Sequence, residues 1–368
     1  MKIAVVSAYT QSHAGIRAEL IQSFIDRGHE VVAFGGESEE NWIDFFAARK
    51  VSYRQFSVNR TGVNPIQDIK TIASLERLYS EEKPDKVFTY HAKGNIYGCL
   101  AAQRAGLNDV YSLVAGLGTI FRDDPDKINI IRSIMTMEYR AALRGATAVF
   151  FQNNDDKALF VDRGIVEPSK TVIVNGSGVD LGRFPWTPLP ESPSFLFVGR
   201  LIKDKGILEF IEAARIVKRY YPLVRFQIVG DVDDNPTSLS RSLIDSIAEE
   251  GIVEFAGPQS NVVPFYQRSS VFVLPSHHEG TPRSALEALA VGRPVILTDA
   301  PGCREVVQNG ENGFMIPVGD PKSLAEVMIR FIEQPTLAVA MGQKSRVIAE
   351  EKYDVRKVNE AICNTMGL

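Results

Sequence analysis

Short apolar runs alternate with longer stretches of helical spacing along the whole chain. IAVVSAY (residues 3–9) is apolar and bounded by polar residues. The next stretch, AGIRAELIQSFIDRG, places Ile16, Leu20, Ile21 and Phe24 at helical spacing and stops at Gly28. EVVAFGG then reads as a strand, followed by strands at DKVFTY (85–90), DVYSLVAG (109–116) and AVFFQN (148–153). Helical stretches lie between them, including NPIQDIKTIASLERLYSEE and INIIRSIMTMEYRAALRG. Buried-type strands alternating with amphipathic helices predict a parallel sheet covered on both faces.

At FPWTPLPESPS (184–194) the pattern breaks. Four prolines in eleven residues continue neither a helix nor a strand, so this stretch reads as a linker. The alternation then restarts with SFLFVGRL (194–201), GILEFIEAARIVKRYY, RFQIVGD, SLSRSLIDSIAEEG, VEFAG, VFVLPS and PVILTD. The chain closes with helix-like EVMIRFIEQ, LAVAMGQKSRVIAEE and DVRKVNEAICNTM. The expectation is an α/β protein of two doubly wound, Rossmann-like domains, 1–184 and 185–352, with a further helix over 353–368.

Composition changes this picture little. The 368 residues are 45% hydrophobic and 23% charged, with a net charge of −4, so each half is large enough for its own core and an all-over nucleic-acid binder is not expected. Cys99, Cys303 and Cys363 show neither zinc spacing nor a disulfide framework, which points to a reducing cytoplasm. MKIAVVSAY is too short for a signal core or a spanning helix, so a soluble or peripheral protein is expected.

Ligands of open α/β sheets bind outside the carboxyl ends of the strands, so the residues just after each strand carry the candidate chemistry. In VFVLPSHHEGTPRSALEALAVG, Glu279 precedes a helix and Glu287 lies about two turns along it. Thr281 reads as the N-cap and Pro282 as the first helical residue, giving a helix end suited to a phosphate. Two carboxylates so placed reach hydroxyls on either side of that phosphate; alternatively, Glu287 simply pairs on a helix face. Arg200 and Lys205 follow the strand FLFVG and suit a diphosphate leaving group, or form a solvated basic loop.

GRLIKDKG, HEGTPRSALEAL, GRPVILTD and NGENGFMIPVGD follow one another as in the retaining glycosyltransferases of GT-B fold, and Glu279 and Glu287 resemble the E-x7-E signature of the family-4 type. The resemblance implies two facing domains, a C-terminal helix crossing back to the first, and sugar transfer from a nucleotide donor with no cofactor and no essential metal. It implies that Arg200 and Lys205, beside Gly199, bind the donor diphosphate, that Glu279 holds the sugar hydroxyls without acting as a covalent nucleophile, and that Glu287 holds the ribose. Backbone at Gly280, Thr281 and Pro282 approaches sugar and phosphate. Pro258, Gln259 and Val262 line the base. Gly15, after the first strand, lets backbone approach the donor.

The acceptor side is expected in the N-terminal half, at His13, His91, Lys93, Asn95, Gly116 and Gly118. Many relatives place a histidine where this chain has AGLG, so a histidine role is not carried over there. HAKGNIYG, AGLGTIF and PGCREVV resemble a bacterial subgroup that adds N-acetylhexosamine or hexose from UDP-sugars to undecaprenyl-diphosphate-linked saccharides. That implies a lipid-linked acceptor and peripheral contact with the cytoplasmic face of the inner membrane. INIIRSIMTMEYRAALRG offers isoleucine, methionine and arginine to a bilayer surface, or packs into the core. A sugar-nucleotide epimerase on the same fold and a non-catalytic nucleotide-sugar-binding subunit are the rival readings. A nicotinamide dehydrogenase is disfavoured, since no G-x-G-x-x-G follows the first strand of either half.

Overall fold

The structure, a computed structural model, describes residues 1–59, 65–117, 129–233 and 235–368. It divides into two compact units, Met1–Ser177 with Asn359–Leu368, and Gly178–Val358. In the first, the described strands are β1 (Lys2–Val6), β2 (Glu30–Gly35), β3 (Val51–Gln55), β4 (Lys86–Tyr90), β5 (Val110–Val114), β6 (Ala148–Phe151) and β7 (Thr171–Ile173). They are parallel, in the order 3-2-1-4-5-6-7, with Ile3 opposite Val31 on one side and Lys86 on the other. The helices are α1 (Thr10–Ala14), α2 (Ala18–Asp26), α3 (Glu39–Ala47), α4 (Pro65–Glu82), α5 (Ala92–Arg104), α6 (Asn129–Leu143) and α7 (Asn154–Asp162).

The second unit repeats the plan with β8 (Ser194–Val198), β9 (Arg225–Val229), β10 (Glu254–Phe255), β11 (Val271–Leu274), β12 (Val295–Thr298) and β13 (Gly313–Ile316), in the order 10-9-8-11-12-13. Its helices are α8 (Ile207–Lys218), α9 (Arg241–Glu249), α10 (Val263–Gln267), α11 (Arg283–Val291), α12 (Pro321–Glu333) and α13 (Pro335–Ile348). α14 (Val355–Thr365) starts in this unit, and its residues from Asn359 onward pack with the first.

The central strands read as continuous apolar runs because helices cover both faces. Ile3, Ala4, Val5 and Val6 are fully buried, as are Val295, Ile296 and Leu297. The strands the sequence pattern missed lie at or beside sheet edges: β3 alternates buried and exposed, and β7 is only half-buried. In both sheets the strand order reverses once, between β1 and β4 and between β8 and β11. Those two reversals are where ligands are expected.

The packing boundary falls at Ser177, ahead of the prolines. Residues 178–184 belong with the second unit because Val179 N–H donates to the Tyr353 carbonyl (2.8 Å), Val355 N–H donates to the Val179 carbonyl (3.1 Å), and Phe184 enters that unit's core. The proline-rich stretch is irregular, as its composition predicts, and Arg293 pins it. This guanidinium is fully buried and donates to the carbonyls of Thr187 (2.7 Å), Pro188 (3.1 Å), Tyr266 (2.9 Å) and Gln267 (2.9 Å). Burial lowers its pKa to about 10, still charged at neutral pH. A cavity of about 450 Å³ lies at the opposite end of the strands from their carboxyl termini, with Trp186, Leu189, Phe195 and Phe331 among its walls.

Arg293→Met keeps the volume but strips those loop carbonyls of their donor. It should cost about 3 kcal/mol or more, as breaking a buried charged network does. Urea unfolding followed by circular dichroism, with Trp186 fluorescence as the local reporter, checks this.

Candidate functional site

In the second unit the loops after β8 and β11 converge. After β8 the chain makes one tight 3₁₀ turn, Lys203–Lys205, and enters α8 through Gly206. Gly206 has φ +70°, and an added Cβ would stand 2.0 Å from the Pro275 carbonyl oxygen, so only glycine lets the two loops approach this closely. The carbonyl of Asp204 accepts from the His277 N–H (2.9 Å) and from Ser276 Oγ (3.1 Å). These bonds carry Lys205 to Glu279: Lys205 Nζ lies 2.5 Å from Glu279 Oε1, with the two side chains 19% and 9% exposed.

A third loop backs the pair. Glu279 N–H donates to the Pro301 carbonyl (2.9 Å), and Gly302, at φ +79°, leaves room for the backbone of Glu279 and Gly280. Cys303 lies beneath, fully buried, and its thiol is pushed up to about 12 by burial and then by the Glu279 charge. Gly280, Thr281 and Pro282 are themselves buried. The expected cap is corrected: α11 starts at Arg283, and Pro282, at ψ 108°, is the cap residue. Thr281, ahead of a proline, is biased away from helical backbone in either case; the start moves one residue along because Pro282 itself holds an extended ψ.

Glu287 sits on α11, 9% exposed, with one oxygen 3.0 Å from Tyr266 Oη and the other accepting from Arg283 Nε at 3.1 Å. The pairing on the helix face considered from sequence is therefore present. Burial raises the carboxyl's pKa, although Arg283 opposes the shift. Tyr266 Oη also donates to the Ser284 carbonyl (3.0 Å), so its one proton serves either neighbour.

Arg200 points elsewhere. Its guanidinium is 56% exposed and donates to Asp233 Oδ2 after β9 (2.7 Å). Gly199 N–H joins the Val229 carbonyl (3.0 Å), and Gly230 N–H the Gly257 carbonyl (3.1 Å), so three strand ends meet through backbone. Pro258 and Gln259 are exposed beyond β10, with Gln259 Nε2 on the Ala256 carbonyl (2.7 Å), and Val262 is the cap of α10.

The first unit concentrates its candidates after β1 and β4. His13 was expected to face an acceptor, but it is 1% exposed with both ring nitrogens committed inside the unit. Nε2 donates to the Phe34 carbonyl (3.0 Å), and Nδ1 accepts from Tyr90 Oη (2.7 Å). Burial brings its pKa down to about 4, so it is neutral. Asn95 is likewise corrected to a structural role: fully buried, it accepts from Thr89 Oγ1 (2.8 Å) and donates to the Leu113 carbonyl (2.9 Å).

His91 differs. It joins β4 to α5 with φ 63° and ψ 154°, a conformation that is costly for any residue but glycine and that clusters at functional sites. Its Nδ1 is 2.9 Å from Ser7 Oγ, and Tyr9 stands edge-on to the ring. Burial, then the charges of Arg17 and His13, hold its pKa near 3. Lys93 is half-buried with Nζ on the Asn59 carbonyl (2.5 Å). Gly15 is exposed after α1, and Gly116 follows β5 at φ +117°. Gly118 lies outside the described residues.

Sequence reasoning missed Arg17, Asp233, Tyr266 and Arg283. Arg17 is 2% exposed, against the Tyr90 ring, although it follows the first strand as Arg200 follows β8. That parallel was the available signal, masked by the helical spacing around it.

Residues 192–334 match the glycosyl transferases group 1 family and residues 16–176 the glycosyl transferase 4-like domain. The chain is 28% identical over 353 residues to the N,N'-diacetylbacillosaminyl-diphospho-undecaprenol alpha-1,3-N-acetylgalactosaminyltransferase of Campylobacter jejuni, covering 91% of each. It is 29% identical to the Escherichia coli UDP-Gal:alpha-D-GlcNAc-diphosphoundecaprenol alpha-1,3-galactosyltransferase, covering 75% of this chain and 74% of that one. It is 31% identical over 312 residues to the capsular polysaccharide biosynthesis glycosyltransferase CapM of Staphylococcus aureus, covering 80% of each. Among solved structures, sucrose-phosphate synthase from Thermosynechococcus elongatus superposes with a TM-score of 0.83 at 19% identity, covering 99% of this chain and 98% of that one. Anabaena HepE in complex with UDP-glucose superposes at 0.79 and 19% identity, covering 100% and 99%. The strand orders, the converging loops and these likenesses together place the chain among the group 1 glycosyltransferases, with a 4-like amino-terminal domain and a GT-B fold.

Proposed function

We propose that the protein moves a hexose or N-acetylhexosamine from a UDP-sugar, with retention of configuration, to a saccharide carried on undecaprenyl diphosphate in bacterial glycan assembly. The observation that carries this reading is the Lys205–Glu279 pair at the strand-order reversal of the second unit, in a chain alike over nine-tenths of its length to a transferase named for such an acceptor. Two relatives are named for alpha-1,3 products, and one for a UDP-sugar donor. An α-linked donor yields an α-linked product only when configuration is retained.

The pair also supplies a mechanism. Without donor, ammonium and carboxylate satisfy each other. An arriving diphosphate draws Lys205, and the sugar hydroxyls take over Glu279, so each substrate group replaces one half of the ion pair. Lys205, joined by Arg200, then stabilises charge on the departing diphosphate, where it develops in the transition state. The acceptor hydroxyl attacks the anomeric carbon on the face the leaving group vacates, and its proton passes to the leaving phosphate oxygen. No side-chain base or metal is required by this scheme. Glu287 accepts from the ribose hydroxyls, and it does so most strongly as a carboxylate.

A donor panel tests the reading: UDP-hexoses, UDP-N-acetylhexosamines and GDP-mannose, each with and without an undecaprenyl-diphosphate-linked sugar. Acceptor-dependent release of UDP and an α-linked product by NMR are expected. Donor isomerisation without acceptor, or a β-linked product from an α-linked donor, overturns it.

Lys205→Ala should lower kcat by roughly 10²–10³-fold, as loss of an electrostatic stabiliser does. Glu279→Gln should also lower turnover, yet bind UDP as tightly as wild type or tighter, because Lys205 loses its competing partner; calorimetry separates the two effects. Glu287→Gln should weaken UDP binding by about tenfold. With its carboxyl pKa raised by burial, wild-type affinity should begin to fall on acidification earlier than an ordinary carboxylate would dictate, and the Gln variant should lose that dependence.

A further inference from the structure

Glu287 is an almost wholly buried carboxyl of the second unit, and each of its oxygens is already met by a donor. Tyr266 Oη of α10 stands 3.0 Å from Oε2, and Arg283, one turn earlier on α11, gives Nε to Oε1 at 3.1 Å. The tyrosine cannot swing away. Its ring is fully buried, edge-on to Phe184 at 6.1 Å between centroids and tilted against Phe272 at 5.9 Å. Its backbone is fastened as well, because Arg293 Nε donates to the Tyr266 carbonyl (2.9 Å) and Nη2 to that of Gln267 (2.9 Å).

A glutamate that merely pairs on a helix face needs its arginine and no buried phenol. Here the phenol and the guanidinium both favour the carboxylate form, against the burial that raises its pKa. Withdrawing such groups from water is costly unless they satisfy one another. The count of lone pairs says what the arrangement offers. An ionised carboxyl has about four acceptor positions, two on each oxygen. Tyr266 takes one on Oε2 and Arg283 one on Oε1, so each oxygen keeps one. Two acceptors on one planar group match two hydroxyls on adjacent carbons, the pattern of a ribose 2′,3′-diol. The Tyr266 hydroxyl has a second acceptor in the Ser284 carbonyl at 3.0 Å, but a carboxylate is the stronger one and holds the proton.

We infer that Tyr266 and Arg283 are positioning residues for a 1,2-diol: by occupying one lone pair on each oxygen of Glu287 they fix the carboxylate plane and aim the remaining two at neighbouring hydroxyls. The inference rests on the ribose role of Glu287 proposed above and adds the means by which that role is made selective. Both residues act through Glu287. The carboxylate is oriented when the protein folds, so little rotamer freedom is lost when the ligand arrives. Without these contacts it would rotate and meet one hydroxyl at a time.

The test is titration calorimetry of the full chain with UDP, 2′-deoxy-UDP and 3′-deoxy-UDP. Loss of either hydroxyl should weaken wild-type binding by about tenfold, the scale of one charge-assisted hydrogen bond. In Tyr266→Phe, which keeps the ring and its packing, at least one of those losses should shrink to about threefold or less. Arg283→Met should act in the same direction, and it is the independent second variant should the first fold poorly. Loosened packing alone would weaken all three ligands equally and leave both ratios where they were. Ratios unchanged in the well-folded variants, with both losses present in wild type, overturn the inference and leave the ribose role standing. Wild-type protein that binds UDP yet is indifferent to both missing hydroxyls overturns the ribose role of Glu287 itself.

Discussion

The ion pair between Lys205 and Glu279 is the contact that ties the loops after β8 and β11 of the second unit together. A lysine and a glutamate 74 residues apart are brought to 2.5 Å because parallel strands deliver all their following loops to one sheet edge. The pair is mostly withdrawn from water, so each charge is costly without the other. On the proposed function that cost becomes useful, because the substrate carries both complements, a diphosphate for the lysine and hydroxyls for the glutamate. Binding then exchanges one satisfied arrangement for another and never leaves a bare charge.

Much of the remaining polar structure serves to hold that edge still. Asp204 accepts from the loop after β11, Pro301 accepts from Glu279, and Gly206 and Gly302 permit approaches that a side chain would block. Farther back, Arg293 satisfies carbonyls of the linker and of the α10 end. A buried cation held by neutral acceptors, carbonyls and the Thr187 hydroxyl, is an expensive device, and its return here is specificity of loop path. Turn geometry by itself would not fix a proline-rich segment against a sheet.

The first unit uses its polar groups differently. His13 and Asn95 are consumed in the interior, tying the ends of β2, β4 and β5 together. His91 stands at the boundary, neutral and in a strained backbone, joined to Ser7. The strain is tolerable because β4 and α5 fix the residue from both sides. Lys93, two residues on, is half-buried, with its ammonium on the Asn59 carbonyl and near Asp68 and Glu138. One strand end thus serves both the interior and the surface.

The sequence by itself determined the two α/β units, the linker and the strand ends at which the chemistry collects, because apolar period and proline chemistry are local properties. Glu279, Lys205 and Gly280 were legible for the same reason, as short motifs at those ends. The half-exposed strands β3 and β7 were not, since a solvent-facing side removes the signal, nor was β13, a four-residue strand that opens on glycine. Only the tertiary structure decided that His13 and Asn95 are spent inside, that α11 begins at Arg283, and that Arg200 reaches Asp233. It also decided that α6 shows apolar side chains on both faces. Burial and partner choice depend on which distant segments meet. Spacing along a chain states which face a residue occupies, and long-range packing states what that face touches.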